Sequence, residues 1–334
     1  MTPAWDTALT RAFALRLPVL AGGLQWLADA DYVTAAARSG IMGFITAASH
    51  AETADLRAEI AKARRACGSL PFGVNVSMLP KLVPGEKTEE IFRLIAGEGV
   101  TVIETSGRNP EPYMDLLKSL GLTVIHKVPA VRYALKAQAV GVDMVAIVGA
   151  ECGGHPGMDM IGSFVNAAMA GRDLEIPFLI GGGVGHGSQL VAALAMGAAG
   201  VVMGTRLLVA TELNAHPAYK QALVDATERD TVLTMSSVRN TIRTLANETT
   251  AEVARIEREN PDVTIGDLLP LVSGRIGREA YRTGDMSRGM LSAGHALGLT
   301  DRIEPMADIL ARFEAEALAA LGRLDGVRRR EAAE

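Results

Sequence analysis

A glycine followed within one or two residues by a run of apolar residues recurs along the first two thirds of the chain. It appears as Gly40-Ile41-Met42-Gly43-Phe44-Ile45, Gly99-Val100-Thr101-Val102-Ile103 and Gly121-Leu122-Thr123-Val124-Ile125. It returns at Gly141-Val142-Asp143-Met144-Val145 and Gly197-Ala198-Ala199-Gly200-Val201-Val202. Each glycine follows a stretch of helical periodicity, where a left-handed residue ends a helix, so each marks a passage from helix to strand. Runs at 18–22, 71–76 and 177–180 bring the candidate strands to eight. The runs are short, apolar on both faces and do not alternate, which predicts parallel strands covered by helices. Ala-rich stretches such as 51–66 and 130–140 supply the helices between them. Eight such units in roughly 205 residues predict an α/β fold, a closed (β/α)8 TIM barrel, with an open doubly wound sheet as its rival.

After Thr205 the rhythm stops. Residues 215–226, 238–257 and 304–321 read as helices, 274–298 reads as loop with a short helix, and no strand signal is evident. This predicts a barrel built from 1–209 plus 300–334, and a smaller helical domain, 210–299, over the barrel mouth. The closing Arg328-Arg329-Arg330-Glu331 reads as a solvated chain end.

Composition narrows the class. Of 334 residues, 49% are hydrophobic and 21% charged, enough to bury a sizeable core and unlike a disordered chain. Lys and Arg number 33 against 38 Asp and Glu, a net charge of -5 with no dense basic face, which argues against nucleic acid or an anionic membrane as partner. The two cysteines, Cys67 and Cys152, form neither a disulfide framework nor a paired metal motif. Residues 1–16 lack a basic start followed by a long apolar stretch, and no apolar run approaches the roughly 20 residues that span a bilayer. The expectation is a cytoplasmic protein whose Ala-rich outer helices could pack in a homodimer.

Barrel chemistry lies at the C-terminal ends of the strands, and the residues there are polar and glycine-rich. They are Gly22-Gly23-Leu24-Gln25-Trp26, Asn75-Val76-Ser77, Glu104-Thr105-Ser106-Gly107, His126-Lys127, the loop Gly149 to Gly157, Gly181-Gly182-Gly183 and Gly204-Thr205. Glycines after strands seven and eight stand where barrels bind a phosphate, their backbone N–H groups converging on the anion at a helix N-terminus. The dinucleotide fingerprint G-x-G-x-x-G fails, ending on His186 when counted from Gly181 and on Ser188 when counted from Gly183. Sugar phosphates, pyridoxal phosphate and FMN all fit a phosphate site. Lys127 could form a Schiff base or serve as the cation near a flavin ring, and the amides of Gln25 and Asn75 could pair with the ring edge. The combination leans toward flavin. His155, flanked by glycines and a proline directly after strand six, is the candidate catalytic residue, because imidazole exchanges a proton near neutral pH. His50, His126, His186, His216 and His295 show no metal-ligand spacing, so no metal is expected. Cys152 reads as a small buried residue, and Glu151 and Asp159 as groups that orient the loop.

Taken together, these motifs and Glu151-Cys152-Gly153-Gly154-His155-Pro156-Gly157 resemble the nitronate monooxygenase family, formerly the 2-nitropropane dioxygenases. The resemblance extends to Ser237-Val238-Arg239-Asn240-Thr241 and Ser292-Ala293-Gly294. It implies an FMN-containing barrel with Gly23, Leu24, Gln25, Asn75, Lys127, Gly181, Gly182, Gly183, Gly204 and Thr205 contacting the cofactor and His155 facing substrate. The monooxygenases typically read Glu-Ala-Gly-Gly-His at this loop. Cys152 in place of the alanine, with Pro156-Gly157 following, is more similar to the branch acting as NADH:quinone reductases. The implied activities are oxidation of NADH or NADPH with a quinone acceptor, or of alkyl nitronates with oxygen. An FMN-dependent enoyl reductase and a flavin-free phosphate-binding barrel are the alternatives.

Overall fold

A computed structural model of the chain describes residues 5–78 and 86–327. Eight parallel strands close on themselves: β1 (Val19–Ala21), β2 (Met42–Thr46), β3 (Gly73–Met78), β4 (Val102–Gly107), β5 (Thr123–Val128), β6 (Met144–Val148), β7 (Phe178–Gly181) and β8 (Gly200–Met203). β8 pairs with β1 through Val201 and Val19, so the sheet has no edge and the open doubly wound arrangement is excluded. The five recurring glycines, Gly40, Gly99, Gly121, Gly141 and Gly197, all adopt φ between 70° and 91°, as the helix-ending role requires.

Two apolar groups build the barrel. Leu20, Met42, Phe44, Val102, Ile125, Met144, Leu179 and Val202 pack inside it. Gly73 leaves room for the Phe44 ring, since a Cβ there would lie 2.5 Å from the ring edge. Leu9 and Leu15, in and just after the helix Ala8–Phe13, join the same interior group. The second group, including Val19, Ile45, Val74, Ile103, Val124, Val145, Ile180 and Val201, faces outward beneath the helices. Both faces of each strand are therefore apolar, the property that the non-alternating runs signalled.

The later part departs from the helical expectation. Residues 231–234 and 242–245 form an antiparallel ribbon, β9 (Thr231–Thr234) and β10 (Ile242–Leu245), with Ile242 opposite Thr234. Val238, Ile242, Leu245 and Val253 happen to follow helical spacing, yet the helix begins only at Glu248. Asn247 there accepts the backbone N–H of Thr250 in a reciprocal cap. Of the other helices, Pro217–Asp225, Gly274–Thr283 and Met306–Asp325 match the sequence pattern, whereas Ile265–Val272, capped by Thr264 and Asp267, was not anticipated. The expected chain end at 328–331 lies outside the described residues.

The ribbon and the segment after it meet the C-terminal ends of the barrel strands. Arg243 of β10 exchanges two backbone hydrogen bonds with Gly154, at 2.7 and 2.9 Å. The His295 N–H donates to Glu151 O at 2.9 Å, and the Gly294 N–H donates to Thr205 Oγ1 at 2.9 Å. The final helix packs along Gly187–Ala195, and a Cβ on Gly187 would overlap the backbone at Phe313 and Ala317.

Candidate active site

Inward strand positions change character toward the C-terminal end of the barrel. Above the apolar layer the same registers carry Gly22, Thr46, Asn75, Glu104, Lys127, Gly181 and Gly204. Glu104 is two residues past Val102 on β4, and Lys127 two past Ile125 on β5. The alternation that fills the barrel with hydrocarbon thus delivers these polar groups to one place.

They are bonded to one another. Glu104, fully buried, accepts hydrogen bonds through Oε2 from Asn75 Nδ2 at 2.6 Å and from Lys127 Nζ at 2.9 Å. Its Oε1 and the buried hydroxyl of Thr46 have no hydrogen-bond partner among the described residues. Gly23, in the turn after β1, sits over this group, and a Cβ on it would lie 2.7 Å from Asn75 Cβ and 3.2 Å from Thr46 Oγ1. Tyr32 donates to Gly22 O at 3.3 Å, and its burial, with Glu104 nearby, holds the phenol proton on well above its ordinary range. Leu24 is half-buried and Gln25 is exposed.

The glycine turns after β7 and β8 are neighbours, because Gly181 pairs with Val202 two residues before Gly204. Gly182 and Gly183 have φ of 95° and 72°, which an L side chain rarely adopts. A Cβ on Gly204 would meet only Leu24 Cδ2, at 3.9 Å, so open space lies before it. Thr205 Oγ1 accepts from Gly294, leaving its O–H to donate elsewhere. The helix after β7 is less available than the sequence suggested. Its cap His186 takes the Ser188 N–H at 3.1 Å and Glu316 takes the Gly187 N–H at 2.8 Å. An anion would therefore be held by the glycine turns and Thr205 rather than by that helix end. Together the open glycine cradle, the free hydroxyl proton, the unpartnered buried oxygens and the ammonium fit a phosphate ester carrying a flat polar ring.

The loop after β6 forms the remaining wall. Glu151 accepts three hydrogen bonds from Ser163, two from its N–H and one from its hydroxyl, at 2.9–3.0 Å, and so caps the helix Ser163–Asp173. Asp159 pairs with Arg132 at 2.6 Å. His155 is exposed to water, and desolvation by the protein around it lowers its pKa below 6.5. Its imidazole has no hydrogen-bond partner among the described residues. Burial pushes the Cys152 thiol up to about 12, so it is no thiolate at neutral pH.

Sequence reading missed three contributors. Glu104 was visible as a charge at a strand end, but its place beneath Asn75 and Lys127 emerges from barrel register. Arg243, 7% exposed, donates from Nε and Nη2 to Ala150 O at 3.3 and 3.2 Å, pinning the ribbon to the β6 loop. The Ser163 hydroxyl, with its one proton shared between acceptors, also lies 2.8 Å from Gly181 O, joining the β6 and β7 loops. Neither residue stands at the C-terminal end of a barrel strand, where the chemistry of this fold gathers.

A sequence profile for the family described as nitronate monooxygenase matches residues 6–316. The chain is 34% identical over 231 residues to (3aS,4S,5R,7aS)-5-hydroxy-7a-methyl-1-oxo-octahydro-1H-indene-4-carboxyl-CoA dehydrogenase of Mycobacterium tuberculosis, an alignment covering 68% of this chain and 62% of that protein. It is 28% identical to the nitronate monooxygenase of Paraburkholderia phytofirmans over 207 residues, covering 60% of this chain and 56% of the relative. The matches thus span about 60% of these curated relatives' lengths. Among solved structures, FabK from Thermotoga maritima superposes with a TM-score of 0.88 at 30% identity, covering 97% of this chain and 100% of that one.

Proposed function

The chain belongs to the nitronate monooxygenase family, and from that premise we propose that this oxidoreductase binds FMN and oxidises NADH or NADPH with a quinone-type acceptor. Bound there, FMN would supply two-electron redox chemistry. Gly181, Gly182, Gly183, Gly204 and Thr205 would hold its phosphate, and Gly23, Leu24, Gln25, Asn75 and Lys127 its ring. The division into barrel residues 1–209 and 300–334 and a covering unit, 210–299, belongs to the same proposal.

The observation that supports this choice of reaction is His155, exposed to water and without a carboxylate partner among the described residues. Deprotonating a neutral nitroalkane calls for a base whose pKa lies near the working pH. The His155 imidazole has no carboxylate partner among the described residues to stabilise the imidazolium that such a deprotonation would leave. It suits a polar contact to a quinone carbonyl, where it orients the acceptor and can exchange one proton with it. Cys152 takes no part, its proton being held by burial.

The purified protein should be yellow, and NADH mixed with it without oxygen should bleach the flavin bands rapidly. Bleaching by a nitronate alone would return the reaction to the monooxygenase. A colourless protein that takes up no FMN would remove the reading altogether. A second reading, reduction of an enoyl thioester, draws support from the relative named a carboxyl-CoA dehydrogenase. Crotonyl-thioester reduction tests it.

A further inference from the structure

We propose that Glu104 is a positioning residue that sets the charge of the ring site: it holds the Asn75 amide and the Lys127 ammonium in place and cancels the ammonium's charge, keeping the reduction potential of bound FMN low. The inference rests on the FMN reading above and deepens it.

The fold gives no reason for a carboxylate here. Directly below it lie Val102 and Ile125, and the apolar interior could continue upward through position 104 at no loss of packing. Burying an isolated carboxylate is expensive, so its presence needs a partner and a purpose. The partner is Lys127 at 2.9 Å, but Lys127 does not need Glu104 in order to be accommodated, since its side chain is 21% exposed. The carboxylate therefore draws the ammonium down against the barrel wall instead of leaving it to reach for water. The same oxygen fixes Asn75 at 2.6 Å, and Asn75 in turn lies where only a glycine fits at position 23. One buried oxygen thus determines two of the side chains expected to meet the ring. The other, Oε1, has no partner among the described residues. The other polar side chains beside this group, Ser77, Thr46 and Tyr32, carry no charge that could take over the compensation.

The electrostatic consequence is directional. Reduction adds negative charge to a flavin, and a bare cation beside the ring favours the reduced form. An ammonium paired with a buried carboxylate does so far less. Glu104→Gln keeps the size and the hydrogen-bonding oxygen but leaves the cation uncompensated. Reduced FMN should then bind at least about tenfold more tightly relative to oxidised FMN, an upward shift of roughly 30 mV for a two-electron couple.

The experiment is a dye-referenced reductive titration of wild-type and Glu104→Gln holoprotein, with FMN dissociation constants and thermal melting measured alongside. A raised potential supports the proposal. Loss of melting temperature with the potential unmoved shows a merely structural role and overturns it. Should Glu104→Gln fail to fold, Lys127→Gln must show a lowered potential, and an unmoved one overturns the proposal equally. Wild-type protein that takes up no FMN overturns the functional reading and this inference together, whereas unmoved potentials in FMN-loaded variants overturn this inference alone.

Discussion

Acid should destabilise this barrel through one buried imidazole. His126 on β5 is 2% exposed, with Nδ1 2.9 Å from Thr105 Oγ1 on β4. Burial is the main cause that holds its pKa down to about 4, against 6.5 for a free imidazole, and the neighbouring Lys127 charge acts in the same direction. At pH 8 the ring is neutral in both folded and unfolded chains, and the full stability is present. Below pH 6.5 the unfolded chain binds a proton that the native chain refuses, so stability falls until the native ring also titrates near pH 4. Integrating between these limits gives a loss of about 2 kcal/mol by pH 5 from this residue alone. His126→Asn removes the titration while keeping a polar atom toward Thr105. Urea unfolding at pH 8 and pH 5 should show wild type losing about 2 kcal/mol more than the variant between the two conditions. His50, His155 and His295 also titrate low, but they are common to both proteins and cancel in the difference. Equal losses in the two proteins would refute the argument that this imidazole is buried neutral.

Other expectations follow from single contacts. In His155→Ala, flavin content should persist while turnover falls about tenfold, the worth of one hydrogen bond of about 1.4 kcal/mol. A loss of 10²–10⁴ would instead mark the residue as the base of a nitroalkane oxidation. Gly187→Ala should lower stability by about 3 kcal/mol or more, because the added carbon meets helix backbone at Phe313 and Ala317 that cannot swing aside; a melting curve unchanged from wild type would deny that contact. Arg206 is 3% exposed and bonded to Glu304 at 3.0 Å, joining the turn after β8 to the start of the last helix. Arg206→Met leaves Glu304 with Arg312 as its remaining partner and should cost about 1 kcal/mol in chemical denaturation.

The barrel was legible because its two constraints are local. A left-handed residue must end each helix, and a strand covered on both sides must be apolar on both faces. Each leaves a mark in consecutive residues. Strand boundaries drifted, as at β4, expected at 99–103 and found at Val102–Gly107. There the turn that follows the helix-ending glycine consumes two residues before pairing begins. The ribbon escaped notice for a different reason. Its strands are four residues each, Leu233 on β9 is 36% exposed, and Ile242 and Leu245 are spaced three apart like residues on a helix. Nothing short of the pairing partner distinguishes that spacing from a helix.

The order of residues was sufficient to tell that eight helix-covered parallel strands are present, that polar and glycine-rich residues follow them and that His155 stands free of any core, while closure into a barrel was seen only in the β8–β1 pairing. Which polar groups touch was settled by closure of the barrel. Asn75, Glu104 and Lys127 lie 29 and 23 positions apart along the chain, and they share hydrogen bonds because adjacent parallel strands set them in register. Whether a carboxylate or an imidazole is charged, shielded or paired depends on neighbours brought from distant segments, and burial, the quantity that shifts His126 and Cys152, exists only once the chain has folded around them.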